Sequence, residues 1–79
     1  MYKVKVYVNL RESILDPAGK AVEGSLHKLG FNEVKELRMG KFITFSTESK
    51  DEARIKEMCE KLLANTVIED YRFEVEAVS

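Results

Sequence analysis

Alternating apolar and polar side chains mark four stretches of the chain, and this period of two residues predicts β-strands whose two faces differ. The first stretch covers about residues 2–10, with Val4, Val6 and Val8 on the side expected to face a core. Its other side carries polar and aromatic residues: Lys3, Lys5, Tyr7 and Asn9. Further strands are predicted at about residues 33–39, 41–47 and 70–78. The stretch at 33–39 is the least regular, because its apolar residues break the alternation.

Two stretches with apolar residues at helical spacing lie between these strands. Asp16 followed by Pro17 predicts the start of the first helix, since aspartate is a good N-cap and proline suits the first helical position. Gly30 predicts its end. Ser49 opens an S-x-x-E capping box for the second helix, and Asn65 is expected to stop that helix in the left-handed conformation. The apolar stripes consist of Ala18, Ala21, Val22, Ser25, Leu26 and Leu29, and of Ile55, Met58, Cys59, Leu62 and Leu63.

The order strand, helix, strand, strand, helix, strand is that of a ferredoxin-like α+β fold, with an antiparallel four-stranded sheet and both helices on one face. The length of 79 residues allows one domain, residues 1–79. The first strand is then expected between the third and the fourth. Lys3 and Lys5 would face glutamates of the last strand, and such opposite charges favour the pairing by about 0.2–1 kcal/mol each.

Composition and charge narrow the classes of partner. The formal net charge is -1 and the sequence pI is near 5.8, which offers no general attraction to nucleic acid or to anionic membranes. No apolar run approaches the ~20 residues of a membrane-spanning helix, and the opening residues lack the pattern of a signal peptide. We therefore expect a cytoplasmic protein. A single core of this size rarely supplies more than ~3–5 kcal/mol, so self-association or a partner is expected.

Tyr7 and Phe42 on the open face of the sheet are typical of an RNA-recognition motif. The third strand should then carry K/R-G-F/Y-G/A-F-V-x-F/Y, and residues 38–45 depart from it at Met39, Gly40 and Lys41. The alternative is that the two rings lie in a protein–protein interface, where aromatic residues are also enriched. Together with the acidic pI, this departure favours an interface without nucleic acid.

Other candidate chemistry is weak. The pair Gly19-Lys20 lacks the following Ser or Thr of a phosphate-binding loop, so a helix cap is favoured. Cys59 lies on the apolar stripe of the second helix, as a small buried hydrophobe would. His27 lies on the polar side of the first helix, four residues after Glu23. We predict no catalytic residues, no metal ligands and no cofactor bound by this chain.

Four segments together resemble the PurS family: YKVKVYV at 2–8, LDPAGKAV at 15–22, LRMGKFITF at 37–45 and MCEKLLANTVIEDYRFEV at 58–75. The resemblance implies an accessory subunit of phosphoribosylformylglycinamidine (FGAM) synthase, in de novo purine synthesis. It implies that the PurQ subunit releases ammonia from glutamine and that the PurL subunit uses ATP, with Mg, to amidate formylglycinamide ribonucleotide. The small subunit is implied to pair with itself, as a dimer or tetramer, and to bring PurL and PurQ together for ammonia transfer.

Exposed polar groups on helix ends and tight turns are predicted to lie at subunit contacts. These candidates are Asp16, Gly19, Lys20, Arg38, Gly40, Lys41 and Asn65, with Tyr7 and Phe42 on the open face. The alternative, that they only cap helices and form turns, stays open. A second class of function, a regulatory module of the ACT kind, shares the strand–helix order. Such modules usually belong to larger enzyme chains, which favours the assembly subunit.

Overall fold

A computed structural model of the chain describes residues 1–78. Its elements are β1 Tyr2–Leu10, α1 Pro17–Lys28, β2 Gly40–Thr47, α2 Glu52–Met58, a π-helical segment Cys59–Leu63, and β3 Glu69–Ala77. Three of the four predicted strands are confirmed to within a residue at each end, and both predicted helices form, although the second begins two residues later than predicted. The strand predicted at 33–39 does not form.

The sheet is antiparallel with the order β2-β1-β3, so the first strand is central, as predicted. The predicted charge pairing across β1 and β3 is also confirmed, since Lys5 lies opposite Glu74 and its Nζ is 3.0 Å from Glu76 Oε1. The hydrogen bond that Lys5 donates to Glu76, together with the charge of that carboxylate, raises the pKa of Lys5. The open face of the sheet is therefore neutralised within the chain.

The core lies on the other face of the sheet, under α2 and the π-helical segment. Its buried side chains are Val4, Val6, Val8, Ile55, Cys59 and Ala64. Partly buried residues of β2 and β3 extend it at both sides. Burial, followed by the nearby charge of Glu60, raises the pKa of the Cys59 thiol, so this group stays neutral. The prediction that Cys59 is a buried hydrophobe is confirmed.

The predicted four-stranded sheet is wrong for this chain, because residues 33–39 run alongside α1 instead of β2. Three hydrogen bonds hold them there: Met39 N to Asp16 Oδ2 (2.7 Å), Leu37 N to Glu23 Oε1 (2.9 Å), and His27 Nε2 to the Val34 carbonyl (2.7 Å). The backbone groups that would form hydrogen bonds with a neighbouring strand are thus bound to side chains of α1 and its N-cap. Glu36 has φ of 54°, which a regular strand does not adopt.

The placement of both helices on one face is also wrong. In the described chain α2 and the π-helical segment cover the sheet, whereas α1 contributes nothing to the core cluster. We call residues 11–39, which leave β1 and return to β2, the arm. The radius of gyration is 16.0 Å and the longest extent is 47 Å, whereas a compact domain of this length has a radius of gyration of about 12 Å. The arm therefore extends from the rest of the chain, which we call the body.

Both ends of α1 follow the prediction, with Asp16 as its N-cap, whereas both ends of the second helix depart from it. Gly30 has φ of 101° and the Phe31 N–H donates to the Leu26 carbonyl over 2.9 Å, as a Schellman ending requires. The predicted capping box is wrong, because Asp51 is the N-cap of α2. Asn65 does not have the left-handed conformation; it forms a turn in which its carbonyl accepts from the backbone N–H groups of residues 68 and 69.

Candidate functional site

The base of the arm is organised around one buried carboxylate. Asp16 is 4% exposed, and its two oxygens accept from different segments: Oδ1 from Gly19 N (2.9 Å) and Oδ2 from Met39 N (2.7 Å). It is therefore both the N-cap of α1 and the anchor of the returning chain. Gly19 is buried beside it, and a Cβ there would lie 2.7 Å from the Leu37 carbonyl oxygen.

Two arginine side chains fix the base of the arm, and one of them joins it to the body. Arg38 Nη2 donates to the carbonyls of Arg11 and Ile14, each over 2.9 Å. Arg11 in turn donates from Nη2 to the Thr66 carbonyl over 2.6 Å. Lys20 is exposed and lines a shallow polar pocket together with Asp16 and Arg38. The structure thus brings together four of the predicted contact residues at the arm base: Asp16, Gly19, Lys20 and Arg38.

Hydrogen bonds from the backbone N–H groups of Met39 and Gly19 hold the pKa of Asp16 below its ordinary value of 3.8, and the Arg38 charge adds to this. Desolvation opposes the shift without reversing it. Because the folded pKa is lower than the unfolded one, the unfolded chain binds more protons in acid. The contribution of ionised Asp16 is complete above the unfolded value of about 4 and is lost as the pH falls through the folded pKa.

We expect the wild type to lose stability in acid relative to Asp16→Asn, because the amide of the variant does not titrate. The unfolding free energy of each should be measured by urea denaturation from about pH 6 down to about pH 2.5, a range that brackets the unfolded pKa. The wild-type advantage should be constant at the upper end and shrink below about pH 4. A difference that stays constant across the range would show that the charge of Asp16 does not hold the arm.

Lys41 and Asn65 share one partner, the carboxylate of Glu69. Glu69 Oε1 accepts from Asn65 N over 2.7 Å and is 3.5 Å from Lys41 Nζ, which also lies 3.3 Å from the Leu63 carbonyl. Gly40 pairs with Asn9 in the sheet. A Cβ on Gly40 would lie 2.5 Å from the Val8 carbonyl oxygen, so the close strand approach requires glycine. These residues have local structural roles, and their role at subunit contacts stays a prediction.

The open face of the sheet carries a row of three side chains in contact with one another. The rings of Tyr7 and Phe42 have centroids 5.0 Å apart, and the Arg72 guanidinium carbon lies 3.9 Å from the centre of the Tyr7 ring. Phe42 is 59% exposed. Arg72 also pairs with Glu74 over 3.1 Å, so the cation is shared between the ring and a carboxylate. This row combines two aromatic rings with an arginine, the residue types that are enriched at protein contact surfaces.

A groove of about 600 Å³ lies on the core side, between β2 and the α2 region. Its floor and walls are apolar: Ile43, Phe45, Met58, Leu62 and Leu63. Arg54, Glu57 and Lys61 form its rim. Sequence reasoning assigned this whole stripe to the core, yet Leu62 is 84% exposed. The sequence carried no signal of this, because the spacing of the five residues is that of an ordinary core-facing helix.

Residues 1–78 hold one cysteine and one histidine, and neither belongs to a metal-binding cluster. No group of three His, Cys, Asp or Glu side chains there is placed to hold a metal ion. Cys59 is buried, and His27 is bound through Nε2 to the Val34 carbonyl. Among the same residues, no helix has both the length and the apolar character to cross a membrane.

Comparison with known proteins gives a consistent result along the whole chain. The family model described as "PurS: Phosphoribosylformylglycinamidine (FGAM) synthase" matches residues 3–77. The phosphoribosylformylglycinamidine synthase subunit PurS of Bacillus subtilis is 59% identical over 81 residues, covering 99% of this chain and 96% of its own length. The subunit of the same name from Methanocaldococcus jannaschii is 43% identical over 82 residues, covering 99% of each chain.

Solved structures extend the likeness to three dimensions. The structure of Bacillus subtilis PurS matches with a TM-score of 0.92 at 59% identity, covering 98% of this chain and 100% of that one. A chain in the structure of PurLQS from Thermotoga maritima matches with a TM-score of 0.75 at 33% identity, covering 94% of this chain and 95% of that one. At this coverage the likeness includes both the arm and the body.

Proposed function

We propose, from the premise that this chain belongs to the PurS family and is a subunit of FGAM synthase in purine biosynthesis, that it bridges the PurQ glutaminase and the PurL synthetase. The observation that carries the proposal is the family match over residues 3–77, together with a structural relative found within PurLQS. The family assignment replaces the ACT-type alternative. We place the complex in the cytoplasm.

In this proposal the chain assists the reaction without taking part in its bond changes. PurQ releases ammonia from glutamine, and PurL uses ATP and Mg to activate formylglycinamide ribonucleotide for attack by that ammonia, which yields FGAM. The accessory subunit holds the two enzymes in a fixed relation, so that ammonia passes between them before it escapes. It binds no cofactor itself. Holding the two enzymes together raises the effective concentration of ammonia at PurL. The rate of ammonia transfer then rises without any catalytic side chain from this subunit.

Two surfaces suit this role, one polar at the arm base and one aromatic on the open face of the sheet. The arm base presents Lys20 and Arg38, and the open sheet face presents Tyr7 and Phe42. Self-association as a dimer or tetramer is part of the proposal, and the extended shape of the chain supports it. The topology is a variant of the ferredoxin-like fold in which the position beside β2 for a fourth strand is left open.

Reconstitution with purified PurL and PurQ tests the proposal. With this chain present, the glutamine-dependent amidation rate should rise on the order of tenfold or more, because the two enzymes are then held together. The rate with free ammonium as nitrogen donor should change much less, since that reaction needs PurL alone. Co-migration of the three chains in gel filtration should accompany the effect. An equal glutamine-dependent rate with and without this chain, and no co-migration, would refute the bridging role.

A further inference from the structure

The arm meets the body at a narrow joint. The chain leaves β1 after Leu10 and returns to β2 at Gly40, and these two crossings lie side by side because Asn9 pairs with Gly40. Within the described residues, α1 contributes nothing to the core cluster, so packing onto that core does not hold the helix in place. Residues at the ends of strands can absorb a change in chain direction, so such a joint is a hinge unless other contacts fix it.

One residue supplies the polar contacts that fix this joint. Arg11 donates from its backbone N–H to the Ile68 carbonyl over 2.9 Å and from Nη2 to the Thr66 carbonyl over 2.6 Å. Its Nε also lies 3.7 Å from Asp70 Oδ1. Among residues 1–78, every hydrogen bond and ion pair that joins the arm to the body involves Arg11. The direction of the arm therefore depends on the contacts of one residue.

The bond to Thr66 is the contact that can set an angle. Thr66 lies in the turn between the π-helical segment and β3, outside the pair of strands from which the arm emerges. A third attachment point outside that pair opposes swinging of the arm, whereas the bond to Ile68 only continues the ladder between β1 and β3. The ion pair with Asp70 adds little, because the Arg11 and Asp70 side chains are 47% and 70% exposed.

Both sides of this contact are themselves held by hydrogen bonds. In the turn, the Asn65 carbonyl accepts from the backbone N–H groups of residues 68 and 69 over 3.0 Å and 2.7 Å. In the arm, Arg38 Nη2 donates to the Arg11 carbonyl over 2.9 Å, which ties the returning segment to the leaving one. Arg11 thus joins a fixed turn of the body to a fixed arm base.

We propose that Arg11 is a positioning residue, which fixes the angle between the arm and the body and so keeps the two enzymes at the spacing that ammonia transfer needs. The inference rests on the bridging function proposed above. Candidate contact surfaces lie on both parts, at the arm base and on the open face of the sheet, so this angle also relates the chains that bind there. A rotation of about 20° at the joint moves the far end of α1 by about 6 Å, since a helix of 12 residues is about 18 Å long.

Arg11→Ala tests the angle, because it removes the side chain and leaves the backbone bond to Ile68 in place. Spin labels on Lys28→Cys in α1 and Lys56→Cys in α2 report the distance from arm to body, since Cys59, the one native cysteine, is buried. Dilution with unlabelled chain restricts the measurement to distances within single chains. The distance distribution should be several ångströms broader with Arg11→Ala than without it, and the circular dichroism spectra should agree.

Two further variants separate the bond to Thr66 from the charge of the side chain. Asp70→Asn keeps Arg11 and its bond to Thr66, so its distance distribution should stay as narrow as that of the wild type. Arg11→Lys keeps the charge and a donor but loses the planar guanidinium with its several N–H groups. This variant should therefore regain only part of the narrow distribution.

The amidation assay supplies the functional readout, measured on the complex isolated by gel filtration. When ammonia passes from PurQ to PurL without loss, glutamate and FGAM form in equal amounts. With Arg11→Ala the three chains should still co-migrate, but glutamate should exceed FGAM because ammonia escapes from the loosened assembly. Asp70→Asn should keep the wild-type ratio, and Arg11→Lys should lie between. A variant that was only less stable would lower both products together and leave their ratio unchanged.

The inference is overturned if Arg11→Ala gives a distance distribution as narrow as the wild type, if its ratio of glutamate to FGAM is unchanged, or if Arg11→Lys recovers neither property. Failure of Arg11→Ala to co-migrate with PurL and PurQ would also overturn it, since Arg11 would then be a contact residue. These outcomes differ from failure of the proposed function, in which the wild-type chain itself leaves glutamine-dependent amidation unchanged.

Discussion

The Ile55→Ala variant is expected to lose about 2–5 kcal/mol of unfolding free energy, the range for truncating a large buried aliphatic residue. Ile55 is 1% exposed and is the largest fully buried side chain. It packs in the core cluster with the three valines of β1. Only one helical layer covers this face of the sheet, so few neighbouring groups can move in to fill the cavity. A core of this size supplies only ~3–5 kcal/mol in total. Most molecules of the isolated Ile55→Ala variant should therefore be unfolded at 25 °C.

Urea denaturation followed by circular dichroism measures this loss. It should be repeated at two protein concentrations, because association stabilises the folded chain by mass action and would mask part of the effect. Val67→Ala serves as the control; as an exposed aliphatic residue, it should change stability by less than about 0.5 kcal/mol. If Ile55→Ala were no less stable than Val67→Ala, the core would have to lie elsewhere in the chain.

Replacing Gly19 by alanine is expected to cost about 1–3 kcal/mol, the usual range for forcing a methyl group into a filled space. The new Cβ would lie 2.7 Å from the Leu37 carbonyl oxygen and 2.5 Å from Asp16 Oδ2. To make room, residues 37–39 would have to move away from α1 and give up the bonds that hold the arm together. The effect should therefore be concentrated in the arm.

Gly24→Ala is the matched control on the same helix. A Cβ at Gly24 would meet no atom within 4 Å, so only the better helix propensity of alanine remains. That change should stabilise the chain by about 0.5–1 kcal/mol. Amide hydrogen exchange locates the difference, since the N–H groups of Leu37 and Met39 should be protected in the wild type and in Gly24→Ala. Equal protection of both amides in Gly19→Ala would show that the arm tolerates the methyl group.

Features fixed by neighbouring residues were predictable from the sequence. The valines of β1 alternate without interruption, Asp16 precedes Pro17, and Gly30 ends α1 as predicted. In each case the side chains that decide the conformation lie within a few positions of one another. The strand order followed from charge pairing and topology, and it is also confirmed.

The arm was not predictable in this way, because its bonds join side chains to backbone groups far along the chain. Glu23 and His27 lie on one face of a predicted helix, but nothing local shows that residues 34–37 supply their partners. The irregular alternation of 33–39 was the one indication that this stretch is not a strand. Arg38 was singled out as a contact residue, and the structure gives it a role within the chain, at the arm base.

The arm and the body differ in the sequence separation of the contacts that close them. The arm closes through bonds between His27 and Val34, Glu23 and Leu37, and Asp16 and Met39, each enclosing the one before. The body needs Tyr2 to meet Ala77, which spans nearly the whole sequence. Loops of short span close faster and at lower entropic cost. On the ribosome, where the N-terminal part emerges first, the arm is therefore complete before the last strand has been made.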